Sequence, residues 1–128
     1  MDALIDPKRP AAAETETSRR LRAFRATDHF TVAAWQEVRS FARTEGEALA
    51  REIRRTVARA GGALVAASSA GEDDDGARRA VASAHGGLLE VRYYLYLARR
   101  LGCLDLKRYR QLTTLQDAAL RELAALLS

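Results

Sequence analysis

This sequence predicts an all-α fold: an up-down antiparallel four-helix bundle with a disordered N-terminal tail. Three observations lead there. The only two prolines, Pro7 and Pro10, fall in the first ten of 128 residues, so nothing after them carries the residue that most disrupts a helix. Apolar residues recur at steps of four and three in four separate segments, while no segment alternates apolar and polar residues at the period of a strand. With 48% hydrophobic and 30% charged residues, the chain has apolar surface for one core and length for one domain.

Residues 1–22 mix Asp, Pro, Lys, Ala, Thr and Glu without a sustained apolar period and read as a flexible tail, leaving 23–128 as the bundle domain. A first helix is expected from about Phe24 to Arg43, on the row Phe30, Ala34, Val38 and Phe41, with Asp28 as a candidate cap. Thr44 to Glu47 interrupts the pattern. It resumes at Leu49, Ile53, Val57, Ala60, Leu64 and Ala67 as a second helix. Ser68 to Gly76 is a polar connection whose acidic run, Glu72 to Asp75, sits just before the positive end of the next helix dipole; that role explains the run better than a metal site does.

The third helix is the clearest: Ala77, Val81, Ala84, Leu88, Val91, Leu95 and Ala98 alternate steps of four and three. Gly102 is placed to end it. Asp105 is placed to start a fourth helix, on Tyr109, Leu112, Gln116, Ala119, Leu123 and Leu126. A three-helix reading leaves Trp35 without a place.

Two glycine pairs interrupt helical propensity, each glycine costing about 1 kcal/mol against alanine. Gly86 and Gly87 point to close approach of a neighbouring backbone, whereas Gly61 and Gly62 leave a kink and close packing equally open. The third helix also carries Leu89, Tyr93, Tyr96 and Leu97 off its main row, a second apolar face that one bundle cannot easily bury. With Gly86 and Gly87 beside it, that face is expected to be a subunit interface of a homo-oligomer.

Charge and chemistry narrow the function further. The formal charge is +4, and with only Lys8 and Lys107 as lysines, 19 of the 21 basic residues are arginine. Arg51, Arg55 and Arg59 recur every four residues, and Arg92, Tyr96 and Arg99 follow at four and three. Guanidinium groups can grip phosphates through paired donors while a tyrosine stacks on an unpaired base, so these rows are the candidate nucleic-acid contacts. The competing reading is a solvated helix face with Arg54 or Arg55 paired to Glu52 or Glu90.

No catalytic motif is legible around the two histidines, His29 and His85, and neither a phosphate-binding loop nor a paired Glu-x-x-His pattern occurs. The expectation is a protein that is not an enzyme and needs neither metal nor cofactor. Cys103 is the one thiol, which precludes an intramolecular disulfide and suits a cytoplasmic setting. No apolar run of about 18 residues or signal-peptide core occurs, so no membrane partner is expected.

The segments LAREIRRTVARAGGALVAA (Leu49 to Ala67) and AHGGLLEVRYYLYLARRLGCL (Ala84 to Leu104) resemble the two signature regions of a bacterial four-helix bundle family. That family includes proteins encoded by intervening sequences of the large-subunit ribosomal RNA gene. The chain is more distantly similar to the accessory variability determinant of diversity-generating retroelements. Trp35 matches the family's aromatic position, Ile53 and Arg55 its apolar and basic positions, and Gly86, Glu90 and Gly102 its landmarks on and after the third helix. Arg59 to Ala67 departs from the family's Ser-Ile-Pro-Ala-Asn-Ile-Ala-Glu-Gly, with Gly61 standing at the proline.

The resemblance implies a basic bundle assembled as a ring, commonly a pentamer, and in the retroelement branch a non-catalytic partner of a reverse transcriptase and nucleic acid. The expectation is therefore a ring-forming accessory protein that binds RNA or DNA through arginine-rich faces. The alternative is a homo-oligomeric protein scaffold with no nucleic-acid role.

Overall fold

The computed structural model describes residues 15–41, 45–69 and 74–128. Four helices make up the fold: α1 (Glu16–Glu37), closed by a 3-10 turn at Val38–Ser40; α2 (Glu45–Ser69); α3 (Asp74–Arg100); and α4 (Leu106–Leu127). Helix α1 packs on α2 and α4, and α3 packs on the same two, while the diagonal pairs do not meet. This is the closed cycle of an up-down four-helix bundle.

The buried rows are those that the periodicity predicts. Phe30, Ala34, Val38 and Phe41 line the core from α1 and its closing turn; Leu49, Ile53, Val57 and Ala60 from α2; all seven expected positions from α3; and Leu112, Gln116, Ala119 and Leu123 from α4. Leu64, Tyr109 and Leu126 are half-buried at the margins. Gln116 is a buried polar residue in this row. Its amide nitrogen donates to the Leu88 carbonyl at 2.8 Å, tying α4 to α3.

The first helix starts earlier than periodicity suggests, and this corrects two expectations. Thr15, not Asp28, is the cap, its hydroxyl accepting from the Ser18 backbone N–H at 3.0 Å. Glu16 to Arg22 are helical rather than tail; the remainder of the predicted tail, 1–14, lies outside the described residues. The buried row runs back through Thr27 and Ala23, a hydroxyl and a methyl that leave little apolar signal in sequence. At the other end α1 stops at Glu37, short of the expected Arg43.

Helix α2 begins at Glu45, within the stretch expected to interrupt the chain, and residues 42–44 lie outside the described set. Of the connection expected at Ser68 to Gly76, Ser68 and Ser69 end α2 and Asp74 to Gly76 begin α3, while 70–73 are not described. Gly102 does end α3, with φ +80°, a left-handed conformation that glycine adopts without strain. Asp105 caps α4 by accepting from the Arg108 backbone N–H at 2.8 Å.

Gly61 and Gly62 cause no break: α2 runs through both, and a Cβ at either would meet nothing within 4 Å. Exposed Gly62 therefore carries only the entropic cost of glycine in a helix. Gly62→Ala is expected to stabilise the bundle by about 0.5–1 kcal/mol. A higher urea midpoint at unchanged slope would show it, and a lower midpoint would contradict it.

Candidate functional site

Helix α3 turns one apolar row to the core and leaves a second outside. Leu89, Tyr93 and Tyr96 are 43%, 59% and 45% exposed, and the Tyr93 ring lies 6.4 Å from both Tyr94 and Tyr96. The Arg100 guanidinium sits 5.8 Å from the Tyr96 ring centre and donates to its hydroxyl at 3.0 Å. Leu97, expected on this face, is instead half-buried and packs against the core. The glycine pair divides too. Gly87 faces α2, where an added Cβ would lie 3.7 Å from Thr56 Cγ2 and 3.8 Å from Ala60 Cβ, whereas Gly86 opens outward with nothing within 4 Å.

The candidate arginines do not form one surface. Arg51, Arg55 and Arg59 are exposed along α2, the helix that packs beside Gly87 of α3, and Arg55 lies close enough to Glu90 and Tyr94 to feel their charge. Arg92 and Arg99 lie on the other flank of α3, toward α4, where Arg92 pairs with Asp117 at 2.6 Å. The tyrosine ridge runs between these two rows.

Neighbouring carboxylates engage three of the five guanidinium groups: Arg55 bonds Glu52 at 2.8 Å, Arg51 approaches Glu47 at 4.0 Å, and Arg92 holds Asp117. Arg59 and Arg99 have no ion pair among the described residues. The hydrogen bond to Glu52, and then its charge, raise the Arg55 pKa further above its already high ordinary value. All these pairs are exposed, where water screens an ion pair, so an incoming phosphate can replace them at small cost.

Tyr94 bonds a carboxylate one turn earlier on α3. Its hydroxyl donates to Glu90 Oε2 at 2.5 Å, and this bond, then burial, then the charge of Glu90 push its pKa above the ordinary phenol value. The folded chain thus holds this proton more tightly than the unfolded chain. Its stabilisation is complete below the unfolded phenol's value, about 10, and is lost as pH rises through the raised folded value. In an absorbance titration, Glu90→Gln should lower the pH at which the Tyr94 phenol ionises. A titration curve that Glu90→Gln leaves unchanged would refute this assignment.

Several residues around the ridge carry no signal in the sequence. Arg110 stands seven residues before Asp117 on α4 and Arg99 seven after Arg92 on antiparallel α3, so the Arg92–Asp117 register brings Arg99 and Arg110 to one level two turns away. Only register could reveal that. Arg54, a candidate partner of Glu52 or Glu90 by spacing, lies instead on the far side of α2, 5.4 Å from the Trp35 ring centre, and donates to the Trp35 carbonyl at 3.5 Å. Trp35 is 40% exposed beneath it, a surface contact between α1 and α2 rather than core.

An open apolar cleft of about 400 Å³ lies at the end of the bundle where α1 begins, walled by Leu21, Phe24, Leu64, Val65, Val81 and Leu126. Among the described residues no histidine, cysteine or carboxylate lines it. His29 is exposed on α1, His85 is half-buried on α3, and Cys103 is half-buried next to Gly46. Among the described residues no group of three or more His, Cys, Asp or Glu side chains is placed to hold a metal ion. Among the same residues no helix is long and apolar enough to cross a membrane. No protein-family model, curated protein or solved structure matches the chain.

Proposed function

We propose that this protein is a non-catalytic helical-bundle module that self-associates through the outer face of α3 and binds RNA or DNA, without regard to sequence, through the arginines flanking that face. The observation that carries the reading is the ridge itself. Leu89, Tyr93 and Tyr96 stand about half exposed on a well-packed helix, between Arg51, Arg55 and Arg59 on one flank and Arg92 and Arg99 on the other. Aromatic residues with arginine are what protein interfaces favour, and association multiplies weak phosphate contacts by raising their effective concentration. The likeness to the retroelement accessory protein supports nucleic acid, with a reverse transcriptase as protein partner, as the ligand class.

A second reading, a protein scaffold without nucleic acid, is favoured by the carboxylates already engaging Arg51, Arg55 and Arg92. Two measurements separate the readings. Light scattering at micromolar concentration should give more than one chain per particle, and Tyr93→Ser should weaken the association roughly tenfold, the loss of one buried aromatic anchor. Polarisation of a labelled single-stranded RNA should show binding that falls steeply between about 50 and 200 mM salt. A particle of one chain defeats the self-association. An oligomer that ignores RNA leaves the scaffold.

A further inference from the structure

Helix α3 carries two heptad rows, not one. The buried positions Ala77, Val81, Ala84, Leu88, Val91, Leu95 and Ala98 are each preceded, two residues earlier, by Asp75, Arg79, Ala82, Gly86, Leu89, Tyr93 and Tyr96. Arg100 continues this outer row, and all eight of its members are exposed. A step of two residues at about 100° each carries the row to nearly the opposite side of the helix. Steps of four and three sustained over this length are the signature of a seam that packs against another helix, and none of the described helices covers it.

We propose that the outer row of α3 pairs with the same row of a second copy of this chain, antiparallel, about a two-fold axis between Gly86 and Leu89. This deepens, and rests on, the self-association proposed above. In order, the row reads Asp, Arg, Ala, Gly, Leu, Tyr, Tyr, Arg, and against its own reverse it matches at every layer. Asp75 meets Arg100 of the second copy, a salt bridge at each end of the seam. Arg79 meets Tyr96, a cation over a ring. Ala82 meets Tyr93 and Gly86 meets Leu89, small residues opposite large ones, as close packing requires.

The parallel alternative fails on the same residues. It sets Asp75 against Asp75, Arg79 against Arg79 and Arg100 against Arg100, and stacks tyrosine on tyrosine while leaving a gap between two copies of Gly86. Like charges placed together select against that arrangement, and opposite charges select for the antiparallel one. The space beyond Gly86, where an added Cβ would meet nothing within 4 Å, is the notch that a leucine of the second copy fills.

The pairing has two consequences. An interface that uses the same surface on both copies closes at two subunits, so this face makes a pair and does not propagate into a ring. The two-fold also turns matching flanks to the same side. Arg92 and Arg99 of both copies then line one broad face of the pair, and Arg51, Arg55 and Arg59 of both copies line the other.

Cysteine pairing tests this geometry in the full chain with Cys103→Ala, which removes the native thiol. Positions 82 and 93 meet each other in the antiparallel seam, but each lies about 16 Å along the axis from its own copy, beyond disulfide reach. Ala82→Cys alone and Tyr93→Cys alone should therefore give no linked dimer under mild oxidation, while an equal mixture should give the linked heterodimer. A dimeric parent in which Ala82→Cys links to itself, or in which the mixture stays unlinked, would overturn the antiparallel seam and leave self-association standing. A parent that is monomeric at the same concentration would overturn both.

Charge exchange gives an independent readout. Arg100→Glu should raise the dimer dissociation constant roughly tenfold, and Asp75→Arg with Arg100→Glu should restore it. A double variant no tighter than the single would count against the proposed end contacts.

Discussion

Replacing Phe30 with alanine should destabilise the bundle by about 4 kcal/mol. Phe30 is fully buried, with 0% of its surface exposed, in the row that α1 contributes to the single core. Truncating it removes an aromatic ring from close-packed surroundings that relax only partly. The loss therefore combines transfer free energy with an unfilled cavity, about 3–5 kcal/mol for Phe→Ala. Domains of this size have about 5–15 kcal/mol in total. The midpoint of thermal unfolding, followed by helix dichroism, should fall by at least about 10 °C. Tyr93→Ala, removing an exposed ring, should cost the protomer under about 1 kcal/mol. If Phe30→Ala cost no more than Tyr93→Ala, the assigned core would be wrong.

The largest effect on binding should come from the α2 row. Changing Arg51, Arg55 and Arg59 together to alanine should weaken RNA binding at least about 100-fold at low salt. On a single strand, every phosphate that a guanidinium no longer neutralises takes about 0.7 from the slope of log affinity against log salt, so the slope should become shallower by roughly two per chain. All three residues are exposed and none is part of the buried core, so the variant should keep its helix content and its particle size. The exposed pairs with Glu47 and Glu52 contribute little to folding. Unchanged affinity and slope would clear the α2 row of any role in binding and leave Arg92 and Arg99 to carry it.

The core is legible in the sequence because burial in a bundle imposes a periodicity. Every α3 position from Ala77 to Ala98 in the four-three row is buried, as expected. What escapes a reading of hydropathy is carried by residues whose hydropathy and burial disagree. Ala23 and Thr27 are buried with almost no apolar signal, so periodicity places the start of the first helix too late. Leu97 has the hydropathy of an interface residue, yet its angular position on α3 turns it far enough inward to pack against the core. Gly86 and Gly87 are adjacent and identical, and only the neighbouring α2 distinguishes the one that contacts Thr56 from the one facing open space.

The arginines show the same division more sharply. Their four-residue spacing is a property of the chain and is plain in it. Whether each is engaged depends on residues distant along the chain as well as near: Asp117 reaches Arg92 from α4, and Trp35 lies beneath Arg54 from α1.

The amino-acid order by itself determined that there are four helices, which face of each is buried, and where Gly102 and Asp105 turn the chain, because these follow from the hydropathy and local backbone chemistry of near neighbours. The tertiary structure alone decided that the two arginine rows lie on opposite flanks of a tyrosine ridge, and that Asp117 reaches Arg92 across from α4. Those facts depend on the register of one helix against the next. Register is set by packing over the whole bundle rather than by any local run of residues.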